Sequence, residues 1–329
     1  MDQVLVLIHT GENGALPRAA LEALGAAAAL KPAAIAVVGK DAAGAAASCA
    51  GLAPRILCVE GDDFAVARSS TDAAAAEALA RTVGANIVIA PGTSRWQRAL
   101  PLAAARLDSV IDTHVVGLED LTVTRWFYRQ RMEGTLTRTA RPWFILLEPG
   151  AFPPAELASS TVTVETAVVE PAASPRTEVL GSVATEAGEQ TIRPDAPLLF
   201  VAGAGWTKKQ KDGRTHTDEA ADLILNFVRR SASSLGSSKS LVDLSGEGQA
   251  VLPFLTHLHQ VGQTGSTPRH KKGLATCCHG EEPHVVGWRF ITERRAVNLD
   301  ADCGWARGKA DVLYVADAFE VMRELNKLL

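Results

Sequence analysis

An excess of basic residues is the first thing this chain lacks. Its 33 Lys and Arg stand against 37 Asp and Glu, for a formal net charge of -4. Proteins that grip nucleic acid carry a cationic footprint, so no nucleic acid partner is expected. Cysteine is scarce: there are five, two of them adjacent at Cys277 and Cys278. An odd number without paired spacing argues against a disulfide framework and for a reducing compartment. No run of about 18 apolar residues occurs, because the Ala-rich stretch from Leu21 to Ala53 is broken by Lys31, Pro32, Lys40 and Asp41. The opening MDQVLVLIHTG has no basic segment followed by a cleavable apolar one, so it does not read as a signal peptide. Together these absences set the expectation of a soluble, cytoplasmic protein that is not integral to a membrane.

Several chemical signatures are missing too. There is no P-loop, no HExxH, and no Ser-His-Asp nucleophile motif. Gly203-Ala204-Gly205 lacks the third glycine of a dinucleotide fingerprint. Cys277, Cys278, His279 and His284 invite a metal reading. Adjacent cysteines cannot easily face one ion, however, and Cys303 lacks CxxC-type spacing, so a buried thiol pair is the plainer view and no metal is expected. No internal repeat or low-complexity tail is evident.

What is present points to an α/β fold in two domains. At 329 residues, 47% of them hydrophobic, the chain exceeds what one core usually serves. Val4–Ile8, Ile35–Val38, Ile56–Val59 and Ile87–Ala90 read as buried strands. Helical patterns fall at Pro17–Ala29, Thr71–Val83 and Ser94–Leu107. This alternation predicts a parallel sheet covered on both faces. From Ser109 the texture changes to β segments without intervening helices: Val110, Val115–Val116, Thr122–Tyr128, Thr135–Thr139 and Trp143–Leu147. Glu170 to Pro197, rich in Pro, Ser, Thr and Glu, reads as a linker. The expected domains are therefore 1–191, with the linker from about residue 170, and 192–329. The second opens with the strand Leu198–Ala202, and its helix Asp218–Arg230 presents Leu223, Ile224, Phe227 and Val228 on one face.

One stretch concentrates the functional signal: Gln260 to His284, QVGQTGSTPRHKKGLATCCHGEEPH. Its turns Gly262-Gln263-Thr264-Gly265 and Cys277-Cys278-His279-Gly280 flank a short candidate strand, and glycine lets a backbone approach a ligand while presenting its N–H groups. With QVGQTG, the Gly280-x-x-x-His284 end, Asn298 after a strand, and Val315-Ala316-Asp317 before Phe319-Glu320-Val321, the region resembles the flavin-binding domain of electron transfer flavoprotein alpha subunits. The resemblance covers the C-terminal part closely and the N-terminal part loosely. It implies an N-terminal domain of the adenine-nucleotide-hydrolase-like type and a C-terminal Rossmann-like (DHS-like) domain that binds FAD.

The same resemblance assigns roles. Thr264 corresponds to the hydroxyl near flavin N5, with Val261, Gly262 and Gln263 as neighbouring contacts. His284, 20 residues after Thr264, corresponds to the imidazole against the pyrimidine edge, where negative charge collects on reduction and a donor or cation stabilises it. His279, Gly280, Glu281, Glu282 and Pro283 resemble the segment around the ribityl and phosphate groups. Asn298, Asp317 and Ala318 look like adenosine contacts, although an acid at a helix start is also an ordinary N-cap. Ser238 and Lys239 fall where the family has Ser-Arg. Lysine keeps the charge but loses the planar fork of arginine. Ala204 stands where the family has an arginine between glycines, so that cation is missing. The basic loop Lys208, Lys209, Lys211 and Arg214 could supply phosphate charge, but a solvated loop is the plainer reading.

The resemblance further implies a redox carrier with no catalytic residues or substrate turnover of its own. It implies a heterodimer with a beta subunit that carries AMP, a flavin-dependent dehydrogenase as electron donor, and a quinone oxidoreductase or iron–sulfur protein as acceptor. The alternative, motivated by Ala204 and Lys239, is a scaffold subunit that has lost its flavin or holds it weakly.

Overall fold

The computed structural model describes residues 2–128, 132–157, 162–170, 177–181, 192–193, 196–243, 250–261, 270–276, 291–302 and 310–329. The chain divides into two compact units, Met1–Ser182 and Val183–Leu329. That division falls ahead of the boundary expected near residue 192.

The first unit runs β1 (Val4–His9), α1 (Arg18–Ala27), β2 (Ala34–Val38), α2 (Ala42–Ala47), β3 (Arg55–Val59), α3 (Asp62–Ala65), α4 (Ser69–Val83), β4 (Ile87–Pro91), α5 (Ser94–Arg106), β5 (Val110–Glu119), β6 (Thr122–Phe127), β7 (Met132–Leu136), β8 (Trp143–Leu147) and β9 (Val164–Thr166). These strands form one sheet in the order β7-β6-β5-β8-β4-β1-β2-β3-β9. The centre is parallel, and β6 and β7 add an antiparallel edge. Every residue of β1, β2, β4 and β8 is buried, as continuous apolar runs require when helices cover both faces. Each buried Val, Leu or Ile contributes about 1.5–3 kcal/mol. In α4, Ala73, Ala75, Ala76 and Ala80 are buried, and small side chains let the helix sit close to its neighbours. The helix ends at Gly84, whose φ of 66° is the left-handed conformation glycine tolerates.

Two local expectations change. The separate β segments at Val110 and Val115 are one strand, β5, because the irregularity between Asp112 and Val115, with His114 at φ 56°, bends the strand without ending it. The short strand β9 pairs in parallel with β3 ahead of the linker. Asp112 of β5 is fully buried and accepts bonds from Arg125 Nη1 (2.6 Å), Arg138 and Trp143 Nε1 (2.9 Å). Burial pushes its carboxyl upward, but those donors outweigh it and hold the group below the usual carboxylate range.

The second unit runs β10 (Leu198–Ala202), α6 (Thr217–Arg230), β11 (Ser234–Ser237), α7 (Lys239–Asp243), β12 (Lys272–Thr276), β13 (Glu293–Asn298), β14 (Val312–Val315) and α8 (Ala318–Leu328). Its five strands are all parallel, in the order β11-β10-β12-β13-β14. α6 buries Ala220, Ile224, Phe227 and Val228, and α8 buries Ala318, Phe319 and Met322 in the same core. Arg323 of α8 bonds Glu219 of α6 at 2.6 Å. The strand expected ahead of Asn298 is β13, and Asn298 is its last residue.

Cys49 and Cys58 are buried free thiols, whereas Cys277, Cys278 and Cys303 lie outside the described residues. Among the described residues no cluster suited to a metal occurs, and no helix is long and apolar enough to cross a membrane.

Candidate functional site

In the second unit the carboxyl ends of all five strands open on one edge, and the order reverses between β10 and β12. Open α/β sheets bind ligands at such a reversal, because adjacent connections leave to opposite faces there and open a crevice. Six of the candidate residues described in the structure stand along this edge.

Ser238 follows β11. It is buried, its N–H donates to Ala202 O at 2.8 Å, and its hydroxyl accepts from Leu241 N at 3.3 Å at the start of α7. Lys239 comes next, half exposed, with Nζ 3.7 Å from Asp243 Oδ2. His257 Nε2 lies 3.8 Å from the other oxygen of Asp243. The lysine charge is thus partly offset on the surface. Val261 is buried, and its N–H donates to Ser237 O at 3.0 Å. A Cβ on Gly236 would stand 2.6 Å from Val261 Cγ2, so β11 needs glycine there. Val261 therefore spends its side chain on the core, and any ligand contact it makes comes from its main chain.

Asn298 is buried at the end of β13. Its Oδ1 accepts from Asp300 N at 3.1 Å, and its carbonyl accepts from Ala316 N at 3.0 Å. Asp317 caps α8, with Oδ1 accepting from Phe319 N at 2.9 Å and Glu320 N at 3.4 Å. Asn298, Asp317 and Ala318 line one small cleft together with Gly205, Gln210, Leu299 and Ala316. The cleft offers amides, which donate and accept, and a carboxylate, which accepts, beside a glycine backbone, and the edges of a ribose or a base present partners of both kinds. Gly262, Gln263, Thr264, His279, Gly280, Glu281, Glu282, Pro283 and His284 lie outside the described residues.

Across the strand reversal, Ala204 is fully buried, so an arginine could not replace it without repacking the turn. Lys209, Lys211 and Arg214 are exposed on a loop folded on itself. There Gln210 N donates to Arg214 O at 2.8 Å, and Asp212 takes Arg214 N at 3.0 Å and His216 Nε2 at 2.8 Å. The N–H of Arg214, then His216, holds the Asp212 carboxyl below its ordinary range. Sequence reasoning passed over Trp206 and Thr276. Trp206 Nε1 donates to Thr276 Oγ1 at 2.9 Å, joining the turn after β10 to the last residue of its neighbour β12. The available signal was a large aromatic immediately after Gly203-Ala204-Gly205. A larger apolar cavity of about 540 Å³ lies along one face of the sheet, between Leu198, Leu274 and Val297 of the sheet and Phe227, Val321 and Leu325 of the helices. It includes none of the candidate residues.

A family model described as the electron transfer flavoprotein domain matches residues 4–172, just over half of the chain. The chain belongs to the electron transfer flavoprotein family. The match lies in the first unit, where the motif resemblance is loose, and not in the C-terminal stretch that carries the quoted turns. The chain is also similar to electron transfer flavoprotein subunit alpha, mitochondrial, of Oryza sativa subsp. indica, with 27% identity over 303 residues, covering 86% of this chain and 76% of the relative. The protein of that name from Oryza sativa subsp. japonica matches to the same extent. A match over 86% of the chain cannot fit within either unit alone, so the similarity to alpha subunits of the electron transfer flavoprotein family takes in both.

Proposed function

We propose that this electron transfer flavoprotein chain is an alpha subunit that binds one FAD in its second unit. The proposal extends to a heterodimer with a beta subunit that itself carries AMP. Electrons then pass from a flavin-dependent dehydrogenase to a quinone oxidoreductase or an iron–sulfur protein. The observation that carries this reading is the convergence of Asn298, Asp317 and Ala318 on one cleft at the carboxyl edge, with Ser238 and Lys239 on the same edge. FAD supplies reversible electron uptake through its ring, and the protein supplies position and field. Asn298, Asp317 and Ala318 hold the adenosine end, Ser238 and Lys239 stand beside the ring, and the 261–264 and 279–284 segments complete the contacts. Thr264 and His284 keep the ring roles that the resemblance assigns them. The protein acts as a carrier with no substrate turnover of its own, and cysteine usage favours a cytoplasmic location.

The scaffold reading draws on two observations: Ala204 is fully buried where a cation is expected, and the Lys239 charge is partly offset by Asp243. Co-expression with the beta subunit separates the two. One FAD per heterodimer with a yellow flavin spectrum is the expected result. A colourless complex that takes up no added FAD favours the scaffold.

A further inference from the structure

We propose that Trp206 is a positioning residue for this cofactor site, a rigid neutral post that sets the spacing of the three segments from which the site is built. The inference rests on the FAD reading and deepens it.

Trp206 lies in the short turn after β10, where the family's cation is absent, and it is fully buried. A side chain so enclosed acts through its neighbours. Its indole N–H donates to Thr276 Oγ1 at 2.9 Å. The same hydroxyl donates onward to Val201 O at 3.4 Å, and the Thr276 carbonyl accepts from Gly203 N at 2.9 Å. The last residue of β12 is thereby tied to the glycine turn by main chain and side chain together. Thr276 directly precedes Cys277, from which the chain continues to His279–His284. On its other side the Trp206 ring lies 4.6 Å, centroid to centroid, from Phe319 at an angle of 58°. Phe319 N is the stronger of the two donors held by Asp317. One side chain thus joins the 203–207 turn, the end of β12 and the start of α8. A buried indole N–H needs a partner, and a fixed hydroxyl provides it at little cost in side-chain freedom. A stiff post keeps the edge pre-formed, and pre-organisation raises affinity by lowering the ordering needed on binding.

The test uses the full chain copurified with its beta subunit. FAD dissociation constants are measured after flavin removal, alongside thermal melting of the flavin-free complex. Trp206→Phe keeps the ring against Phe319 and loses the N–H. Thr276→Val keeps the shape and loses the hydroxyl, and Thr276→Ser keeps the hydroxyl. The first two are expected to weaken FAD binding about tenfold each, Thr276→Ser to remain near the parent, and the double variant to be no weaker than the worse single one. A purely structural role would lower melting without this pattern. Parent-like FAD affinity in both Trp206→Phe and Thr276→Val overturns the proposal, as do losses that multiply in the double variant, or a Thr276→Ser as weak as Thr276→Val. If Trp206→Phe fails to fold, the Val and Ser pair at 276 decides alone. A parent complex that takes up no FAD overturns the underlying reading instead, and is told apart by its lack of colour.

Discussion

Asp317 offers a way to separate structure from ligand binding at a single side chain. Its Oδ1 is committed to the first turn of α8 through Phe319 N (2.9 Å) and Glu320 N (3.4 Å). Among the described residues no protein group bonds Oδ2, which lies on a residue lining the Asn298 cleft. Asp317→Asn retains an oxygen for the cap and loses the charge. Its cost in stability is then only the interaction with the helix N-terminus, about 0.3–1 kcal/mol. Asp317→Ala loses the cap as well and costs about 1 kcal/mol more. If the free carboxylate oxygen binds a ribose hydroxyl of FAD, Asn also removes a charge-assisted bond worth about 1.5–3 kcal/mol. That is roughly a 10- to 150-fold rise in the FAD dissociation constant. Urea denaturation of the flavin-free protein and FAD titration of the complex measure the two quantities separately. Asn should fold nearly as well as the parent and bind FAD at least tenfold more weakly. An Asn variant with parent FAD affinity would refute the assignment and leave Asp317 a helix cap alone.

Four further outcomes follow from the packing. Removing the carboxylate in Asp112→Ala strands Arg125, Arg138 and the indole of Trp143 and should destabilise the first unit by about 3 kcal/mol in chemical denaturation; a loss under 1 kcal/mol would show the network to be dispensable. Because the folded-state value of Asp112 lies below its unfolded value, its contribution is present above the unfolded value near 4 and disappears as pH falls through the lower folded value. The parent should therefore lose more stability between pH 5 and the acid limit than Asp112→Asn, and equal slopes would contradict this. Burial pushes the Cys49 thiol up to about 11, so iodoacetamide at pH 8 should leave it unmodified in the native protein and label it after unfolding, as read by peptide mass spectrometry; native labelling would mean the site opens readily. Gly236→Ala places a methyl 2.6 Å from Val261 Cγ2, and should cost about 1–3 kcal/mol with a lowered melting temperature, whereas unchanged melting would show that Val261 can move aside.

The sequence by itself determined the architecture wherever local pattern and tertiary demand agree. The unbroken apolar runs at Val4, Ile35, Ile87 and Trp143 have no stable place except a sheet covered on both faces, and the spacing of Ile224, Phe227 and Val228 has none except one helical face. The acid before Ala318 was likewise legible, because a capping residue acts within a few positions of itself. Only the tertiary structure decided the rest. Ser234-Leu235-Gly236-Ser237 has little intrinsic strand character, and it is a strand because β10 bonds to it and Val261 needs the space over Gly236. The joining of His114's bend into one strand, and the meeting of Trp206 with Thr276, 70 positions away in the chain, depend on partners that no local window contains. Strand order and buried polar pairing arise when distant segments compete for the same bonds, so they come into being only with the folded chain.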